Sequence, residues 1–152
     1  MDKRTKIIMN QVMLPSQANV AGNVHGGEIM KLMDTAAGAV ARKYSRSNVV
    51  TARVDELQFH LPIFVGALVT LTSTVAYVGR TSMEVIVTVD VEDLESDTEP
   101  KRALSSYFTM VALDKAGRPR EIPKLQPETE EEKVLYEEIK RRREKAKCRC
   151  DA

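Results

Sequence analysis

Cysteine is scarce in this sequence of 152 residues, and its placement argues against two classes of protein. The only two cysteines, Cys148 and Cys150, lie two positions apart near the C-terminus, and the chain has only two histidines, His25 and His60. A disulfide framework needs more cysteines than this, and a structural metal site needs about four ligands at characteristic spacings. We therefore expect neither, and we interpret the cysteine pair as part of a solvated tail.

The chain also lacks a charge excess and a long apolar run. Its formal net charge is +1, which gives no electrostatic reason to expect a nucleic-acid or membrane partner. No apolar run approaches the roughly 20 residues that span a bilayer. The basic N-terminus is not followed by the apolar segment of a signal peptide, so we expect a cytoplasmic protein.

Several common catalytic signatures are missing as well. The sequence has no P-loop, no dinucleotide-binding glycine fingerprint and no arrangement typical of a Ser-His-Asp hydrolase. With 43% hydrophobic and 30% charged residues, it has the composition of an ordinary globular domain that is large enough to bury a core. A candidate site must therefore come from another arrangement of polar residues.

One carboxylate stands alone in the otherwise uncharged middle of a predicted helix. Within residues 32–41 the only ionisable side chain is that of Asp34. A helix that is apolar on nearly every side is expected to be buried on nearly every side, and a buried carboxylate is usually paired, hydrogen-bonded or functional. The polar, glycine-bearing run 19–27 lies within two turns of Asp34, which indicates a site near the start of the helix.

Hydrophobic periodicity predicts the element order β-α-β-β-β-β-α. Alternating apolar residues indicate strands at about 6–14, 49–60, 66–77, 82–91 and 102–113, with helices at about 27–44 and 128–147. In the second strand the apolar phase shifts at Asp55 and Glu56, which predicts a β-bulge there. Short connections favour an antiparallel sheet, so we predict an α+β fold with a domain at 1–127 and a helical extension and tail at 128–152.

The central helix is predicted to have two different faces. The face expected to contact the sheet carries Ile29, Leu32, Met33, Ala36 and Val40. The opposite face carries Asp34 among Met30, Ala37, Gly38 and Ala41. Because this second face is nearly uncharged, we expect another surface to bury it. A second copy of the chain is the simplest one, because most soluble oligomers are symmetric homo-oligomers.

The residues around this helix resemble those of a known family. Residues 15–34 read PSQANVAGNVHGGEIMKLMD, and the segments 49–55, 59–63, 79–84 and 117–123 continue the same pattern. Together they resemble the hotdog-fold acyl-CoA thioesterases, in particular the cytosolic acyl-CoA hydrolases and their short bacterial relatives. The likeness extends over about residues 7–145.

This resemblance implies a hotdog fold, in which an antiparallel sheet of about five strands wraps around one long helix. It also implies a dimer with active sites between its subunits, commonly assembled into a trimer of dimers. The family's catalytic acid corresponds to Asp34 and its partner asparagine to Asn23, so Asn23 of one subunit is expected to meet Asp34 of the other. The implied activity is hydrolysis of acyl-CoA to a free acid and coenzyme A, with no other cofactor.

Thioester hydrolysis needs an activated water or a nucleophile, together with donors for the developing oxyanion. Asp34 can serve as general base or as nucleophile, and the sequence leaves both open. Asn23 offers an amide that can position water or substrate. Free N–H groups near Gly26 and Gly27 suit an oxyanion at the helix start, and Thr51 is a candidate to line the site.

Each of these residues also has a purely structural interpretation. Asp34 can be a carboxylate tied to a neighbouring hydroxyl or to a salt bridge across a dimer, and Asn23 a turn or capping residue. Thr51 can be an ordinary strand residue. We assign no catalytic role to His25, whose place relatives fill with other residues such as phenylalanine, or to His60, which is typical of a loop.

Basic residues in predicted turns are candidates to contact the phosphates of coenzyme A. Arg80, Arg118 and Lys124 form this candidate set. Taken singly, each is typical of a solvated surface charge, but as a set we expect one or two of them to contact the phosphates.

Two other functions stay open at this point. A hotdog module can bind or sense acyl-CoA without turnover, although a sensor has no need of both Asp34 and Asn23. A hotdog dehydratase or hydratase needs a different pair of histidine and acid, and no such signature is visible. The sequence determines neither the acyl chain length nor the size of the oligomer.

Overall fold

The computed structural model describes the backbone of residues 4–150 and the side chains of residues 4–147. Along the chain it contains β1 (Lys6–Val12), α1 (Gly26–Ser45), β2 (Asn48–Val54), β3 (Leu68–Val78), β4 (Ser82–Glu92), β5 (Lys101–Leu113) and α2 (Glu130–Cys150). This order confirms the predicted succession of strands and helices. The prediction for Cys148 and Cys150 concerns side chains outside the described residues.

The five strands form one antiparallel sheet in the order β1-β3-β4-β5-β2. Short hairpins join β3 to β4 and β4 to β5, whereas α1 connects the two edge strands β1 and β2. Because β2 pairs only with β5, the backbone groups along its other side have no partner strand among the described residues 4–150.

The helix α1 contacts all five strands of the sheet. Its buried residues are Ile29, Met33, Ala36, Ala37, Val40, Ala41, Tyr44 and Ser45. Full burial of a side chain such as Ile29 or Met33 contributes about 1.5–3 kcal/mol to the stability of the fold. One long helix packed against an antiparallel sheet confirms the predicted α+β arrangement.

The buried stripe of α1 is broader than the helix wheel predicts. The wheel places Ala37 and Ala41 on the same face as Asp34, but both alanines are fully buried. Five strands cover a wider arc of the helix than the single flat contact that the wheel assumes. The face left open is therefore narrow, and it retains Asp34 together with Met30, whose side chain is 43% exposed.

The second strand is shorter than predicted, and its bulge lies elsewhere. β2 ends at Val54, and its register with β5 shifts between Thr51 and Arg53 rather than at Asp55 and Glu56. Residues 55–62 leave the sheet as an irregular segment. The apolar alternation in this segment is not evidence of a strand, because Leu57 packs against the core although its segment does not pair with the sheet.

The C-terminal helix α2 begins with the capping interactions expected from its sequence. The backbone N–H of Glu132 donates to Thr129 Oγ1 at 3.1 Å, and Glu132 Oε2 accepts from the backbone N–H of Glu128 at 2.9 Å. Further along, Ile139 is buried and the ring of Tyr136 lies 4.8 Å from that of Tyr77 on β3. The predicted surface helix is thus packed on the outer face of the sheet.

A buried carboxylate lies beneath α2. Glu84 on β4 accepts hydrogen bonds from Thr109 Oγ1, and Arg143 of α2 approaches it at 3.6 Å. The Arg143 guanidinium also donates to Ser82 Oγ at 2.6 Å and stacks over the ring of Tyr77. Burial raises the pKa of Glu84 above its ordinary value, although the Thr109 hydrogen bond and the Arg143 charge act in the opposite direction.

We predict that Glu84 makes the stability of the protein depend on pH. A raised pKa in the folded state means that the stabilising contribution is fully present below the ordinary value of 4.5 and is lost as the pH rises through the folded pKa. The free energy of unfolding of the wild type should therefore fall, relative to that of a Glu84→Gln variant, as the pH increases. Urea denaturation at a series of pH values measures this difference.

The matched control is Glu138→Gln, which removes an exposed carboxylate from α2. Its free energy of unfolding should follow that of the wild type at every pH. Parallel curves for the wild type and Glu84→Gln would contradict the assignment.

Candidate functional site

The Asp34 carboxylate in the middle of α1 is hydrogen-bonded to the edge strand. Thr51 Oγ1 on β2 donates to Asp34 Oδ1 at 2.5 Å, and the same hydroxyl lies 3.5 Å from Met110 Sδ on β5. Asp34 and Thr51 are both exposed in the single chain, so this pair is open to a substrate or to a second copy.

The loop before α1 is organised by the side chain of an asparagine. The carboxamide oxygen of Asn19 accepts from the backbone N–H of Ala21 at 3.0 Å and from that of Asn23 at 3.2 Å. Gly22 completes the turn with a φ of +88°, a conformation that strongly favours glycine. The carboxamide oxygen is thus held by the backbone, and within residues 4–147 no acceptor is bonded to the amide N–H groups of Asn19.

A surface depression of about 360 Å³ adjoins this loop and the start of α1. Its polar and glycine lining is formed by Asn19, Asn23, Gly26 and His60, and Phe59 adds an aromatic ring. A Cβ atom at Gly26 would lie 3.6 Å from that ring, whereas one at Gly27 would meet nothing within 4 Å. A ligand can therefore approach the backbone closely at Gly27.

The first N–H groups of α1 are available at this place. Within residues 4–150 no backbone acceptor is bonded to the N–H of Gly26 or Gly27, and the side chain of His25 does not cap the helix. Unpaired N–H groups at a helix start, with the positive end of the helix dipole behind them, suit a developing negative charge. The predicted oxyanion donors thus have the right backbone environment.

The structure brings Asp34 together with Thr51 but not with Asn23. Asp34 follows Gly26 by eight residues on α1, which corresponds to about 12 Å along the helix axis. It is not among the residues that line the depression. Asp34 and Thr51 thus lie together at one position in the structure, whereas the two asparagines and the N–H groups of the helix start lie at another. The predicted meeting of Asn23 with Asp34 concerns two copies, and a single chain does not test it.

The three basic candidates have different neighbours. Arg80 and Arg118 are exposed, and among the described side chains they make long ion pairs of 3.8 Å, with Glu121 and Asp114. Lys124 lines a separate cavity of about 220 Å³ beside Tyr44, which is ten residues further along α1 than Asp34. All three side chains have charge to offer a phosphate, but their common role stays a prediction.

Sequence reasoning missed two residues of this region. Asn19 shapes the loop and lines the depression, and Phe59 packs beside Gly26. In a loop sequence, an asparagine followed shortly by a glycine is typical of a turn in which the asparagine side chain bonds the backbone two residues further on. This pattern would have drawn attention to Asn19. No comparable local signal marks Phe59, because only the fold carries residues 55–62 to the helix start.

The described part of the chain has neither a metal-binding cluster nor a membrane-spanning helix. Within residues 4–147, no group of three or more histidine, cysteine or acidic side chains is placed to hold a metal ion. Neither described helix has the length and apolar character needed to cross a membrane.

The sequence and the fold are both similar to those of known proteins. The family model of the thioesterase superfamily matches residues 21–97. The cytosolic acyl coenzyme A thioester hydrolase of Mus musculus is 42% identical over 129 residues, which cover 84% of this chain but 34% of that protein. The chain therefore spans about a third of the length of the curated mammalian relatives that it matches.

Solved structures are similar over almost the whole chain. The crystal structure of an apo-hexameric acyl-CoA thioesterase is 38% identical with a TM-score of 0.90, and the match covers 97% of this chain and 94% of that one. The acyl-CoA hydrolase of Staphylococcus aureus, solved with butyryl coenzyme A and coenzyme A, is 34% identical with a TM-score of 0.85 over 95% and 87% of the two chains. These similarities confirm the predicted hotdog fold.

The Staphylococcus aureus hydrolase has also been solved as three alanine variants. They replace an asparagine, an aspartate and a threonine of that protein. In its sequence the asparagine precedes the aspartate by 15 positions, and the threonine follows the aspartate by 17.

Proposed function

The chain belongs to the thioesterase superfamily, and we propose that it hydrolyses acyl-CoA thioesters to a free carboxylic acid and coenzyme A. The observation that carries this proposal is the hydrogen bond between Thr51 and Asp34, which are 17 positions apart like the threonine and aspartate altered in the Staphylococcus aureus hydrolase. The reaction as proposed uses no metal and no cofactor besides the coenzyme A of its substrate.

Asp34 is the proposed reactive group. As a general base it takes a proton from a water that attacks the thioester carbonyl carbon, and it returns this proton to the thiolate when the C–S bond breaks. As a nucleophile it forms an acyl anhydride with release of thiolate, and water then hydrolyses the anhydride. In either route the bond from Thr51 holds the carboxylate in one orientation.

The oxyanion of the tetrahedral intermediate is assigned to the start of α1. The free N–H groups of Gly26 and Gly27 are the proposed donors, supported by an asparagine amide. Since Asp34 lies about 12 Å along the helix from Gly26, we infer that the donors of one copy act on a substrate held by Asp34 of another.

Two asparagines compete for the supporting role. The resemblance assigns it to Asn23, which lies 11 positions before Asp34, but Asn19 lies 15 positions before it. The second spacing equals that between the altered asparagine and aspartate of the Staphylococcus aureus hydrolase. The held oxygen and available amide donors of Asn19 also favour it, so we propose Asn19 as the main donor and Asn23 as a neighbouring wall of the site.

The proposed assembly is a dimer formed along β2, with trimers of such dimers. The edge strand exposes Val50 and Val54 beside the open face of α1 with Met30, so a second copy would cover apolar surface next to Asp34. The similar thioesterases of known structure that are described as hexameric support the larger assembly. Arg80, Arg118 and Lys124 remain proposed contacts for the phosphates, and a cytoplasmic location follows the naming of the mammalian relatives.

Replacing the carboxylate tests the activity itself. We expect Asp34→Asn to lower the rate of thiol release from acyl-CoA by roughly 10²-fold or more, because the amide can neither accept the proton nor attack. A series of acyl-CoAs from short to long, assayed with a thiol reagent, measures the rate and also gives the preferred chain length. Asp97→Asn, which alters an exposed loop carboxylate, is the matched control. Tight acyl-CoA binding with equal and negligible turnover in all proteins would indicate a binding module instead.

The choice between the asparagines is tested by single replacements. Asn19→Ala should reduce kcat on the order of 100-fold, as loss of one oxyanion donor does in other hydrolases. Asn23→Ala should cause a clearly smaller loss, since its described contacts are made by its backbone. The thiol-release assay measures both, and a larger loss in Asn23→Ala would restore the assignment from the resemblance.

Mixing two inactive variants tests whether the site is shared between copies. If Asn19 of one copy acts with Asp34 of the other, then Asn19→Ala and Asp34→Asn subunits that have been unfolded and refolded together should recover about one quarter of the wild-type activity, because half of the dimers then hold one intact site. Each variant refolded alone is the control. No recovery, with mixed dimers demonstrated by mass, would place the whole site within one chain.

A further inference from the structure

Asp55 ties the C-terminal helix to the strand that carries Thr51. Its Oδ2 accepts from Arg142 Nη2 of α2 at 2.9 Å, and its Oδ1 lies 3.2 Å from Arg53 Nε. The backbone N–H of Asp55 donates to the carbonyl of Tyr107 at 3.0 Å, and the Arg142 guanidinium lies over the ring of Tyr107. We call this group of Arg53, Asp55 and Arg142 the Asp55 clamp.

The strand that precedes the clamp has a partner strand on one side, whereas the interior strands of the sheet have partners on both sides. β2 is an edge strand that pairs on one side only, and its register shifts between Thr51 and Arg53. A bulge leaves a residue unpaired and bends the strand, which makes the position of its neighbours depend on other contacts. Thr51 lies directly before this bulge, and its hydroxyl is the only side-chain donor to Asp34 in residues 4–147.

The segment that follows the clamp belongs to the other part of the candidate site. Residues 55–62 leave the sheet at Asp55 and are next bonded to it through the N–H of His60, which donates to the carbonyl of Ala103 at 2.9 Å. Between these two points lies Phe59, whose ring packs beside Gly26. Asp55 therefore lies between Thr51 and Phe59 in the chain, at the point where the segment leaves the sheet.

The ion pair between Asp55 and Arg142 is held more rigidly than an ordinary surface ion pair. Exposed pairs contribute about 0–1 kcal/mol because their long side chains are free to move. The side chain of Asp55 is only 22% exposed, and the helix that presents Arg142 is itself fixed by buried Ile139 and by Arg143. α2 thus brings the guanidinium to Asp55 from a rigid position.

We propose that Arg142 and Asp55 are positioning residues for the hydrolysis, acting through the bulged strand on Thr51 and through residues 55–62 on Phe59. This inference rests on the proposed function. It assigns to α2 a role in the reaction, although none of its side chains is placed in the catalytic machinery. The role requires that α2 stay docked, so the test alters Arg142 and leaves Ile139 and Arg143 in place.

The test compares Arg142→Gln with Arg141→Gln. Both remove one positive charge from the same helix, but within residues 4–147 the Arg141 side chain bonds only to the carbonyl of Glu137 on its own helix. Hydrogen–deuterium exchange of residues 55–62 reports the clamp without substrate, and thiol release from acyl-CoA gives kcat and KM. A thermal melt confirms that both variants are folded.

We expect Arg142→Gln to speed exchange in residues 55–62 several-fold and to lower kcat on the order of tenfold, with KM within about twofold of the wild type, because misplacement of reacting groups acts on the chemical step. Arg142→Lys should recover part of both losses. Combining Asp55→Asn with Arg142→Gln should add little to either single loss if the two residues act as a pair.

Two results would overturn the inference. One is an exchange rate for residues 55–62 in Arg142→Gln equal to that in Arg141→Gln, and the other is an equal kcat in these two variants. A wild type that releases no thiol would defeat the proposed function instead, and the exchange measurement would still decide whether the clamp holds the segment.

Discussion

The enclosure of α1 by all five strands is the constraint on which the rest of the structure depends. It buries Ile29, Met33 and Val40, which together with the sheet form the core, and it leaves one narrow face of the helix open. A carboxylate can occupy a helix of this composition only on that open face, because burial without partners would cost several kcal/mol. Asp34 lies there, within reach of the strand that ends the sheet.

The same enclosure explains why the candidate site is divided. The helix start, with its free N–H groups and the asparagine loop, lies at one end of α1, and Asp34 with Thr51 lies two turns further along. No movement of side chains within one chain closes such a distance. The edge strand β2 carries Thr51 beside Asp34, so in the proposed dimer the second copy would cover this edge and bring its own helix start to Asp34.

Some elements of the structure could be predicted from the sequence, and others could not. The period of two in β4, with its β-branched residues, and the capping box at Thr129 and Glu132 are local signals, and the structure agrees with them. The end of β2 was predicted wrongly, because Leu57 is an apolar residue that packs against the core without belonging to a paired strand. Asn19 was passed over for Asn23, since both are turn-forming residues and only their contacts distinguish them.

The sequence by itself determined the antiparallel α+β fold, the apolar helix and the isolation of Asp34, because these follow from hydrophobic periodicity along neighbouring residues. Only the tertiary structure decided which hydroxyl meets Asp34, how wide an arc of α1 is buried, and where α2 holds the sheet. Thr51 and Asp55 acquire their partners from residues 17 and 87 positions away. Such contacts depend on the register of the strands and on the docking of helices, which no local pattern encodes.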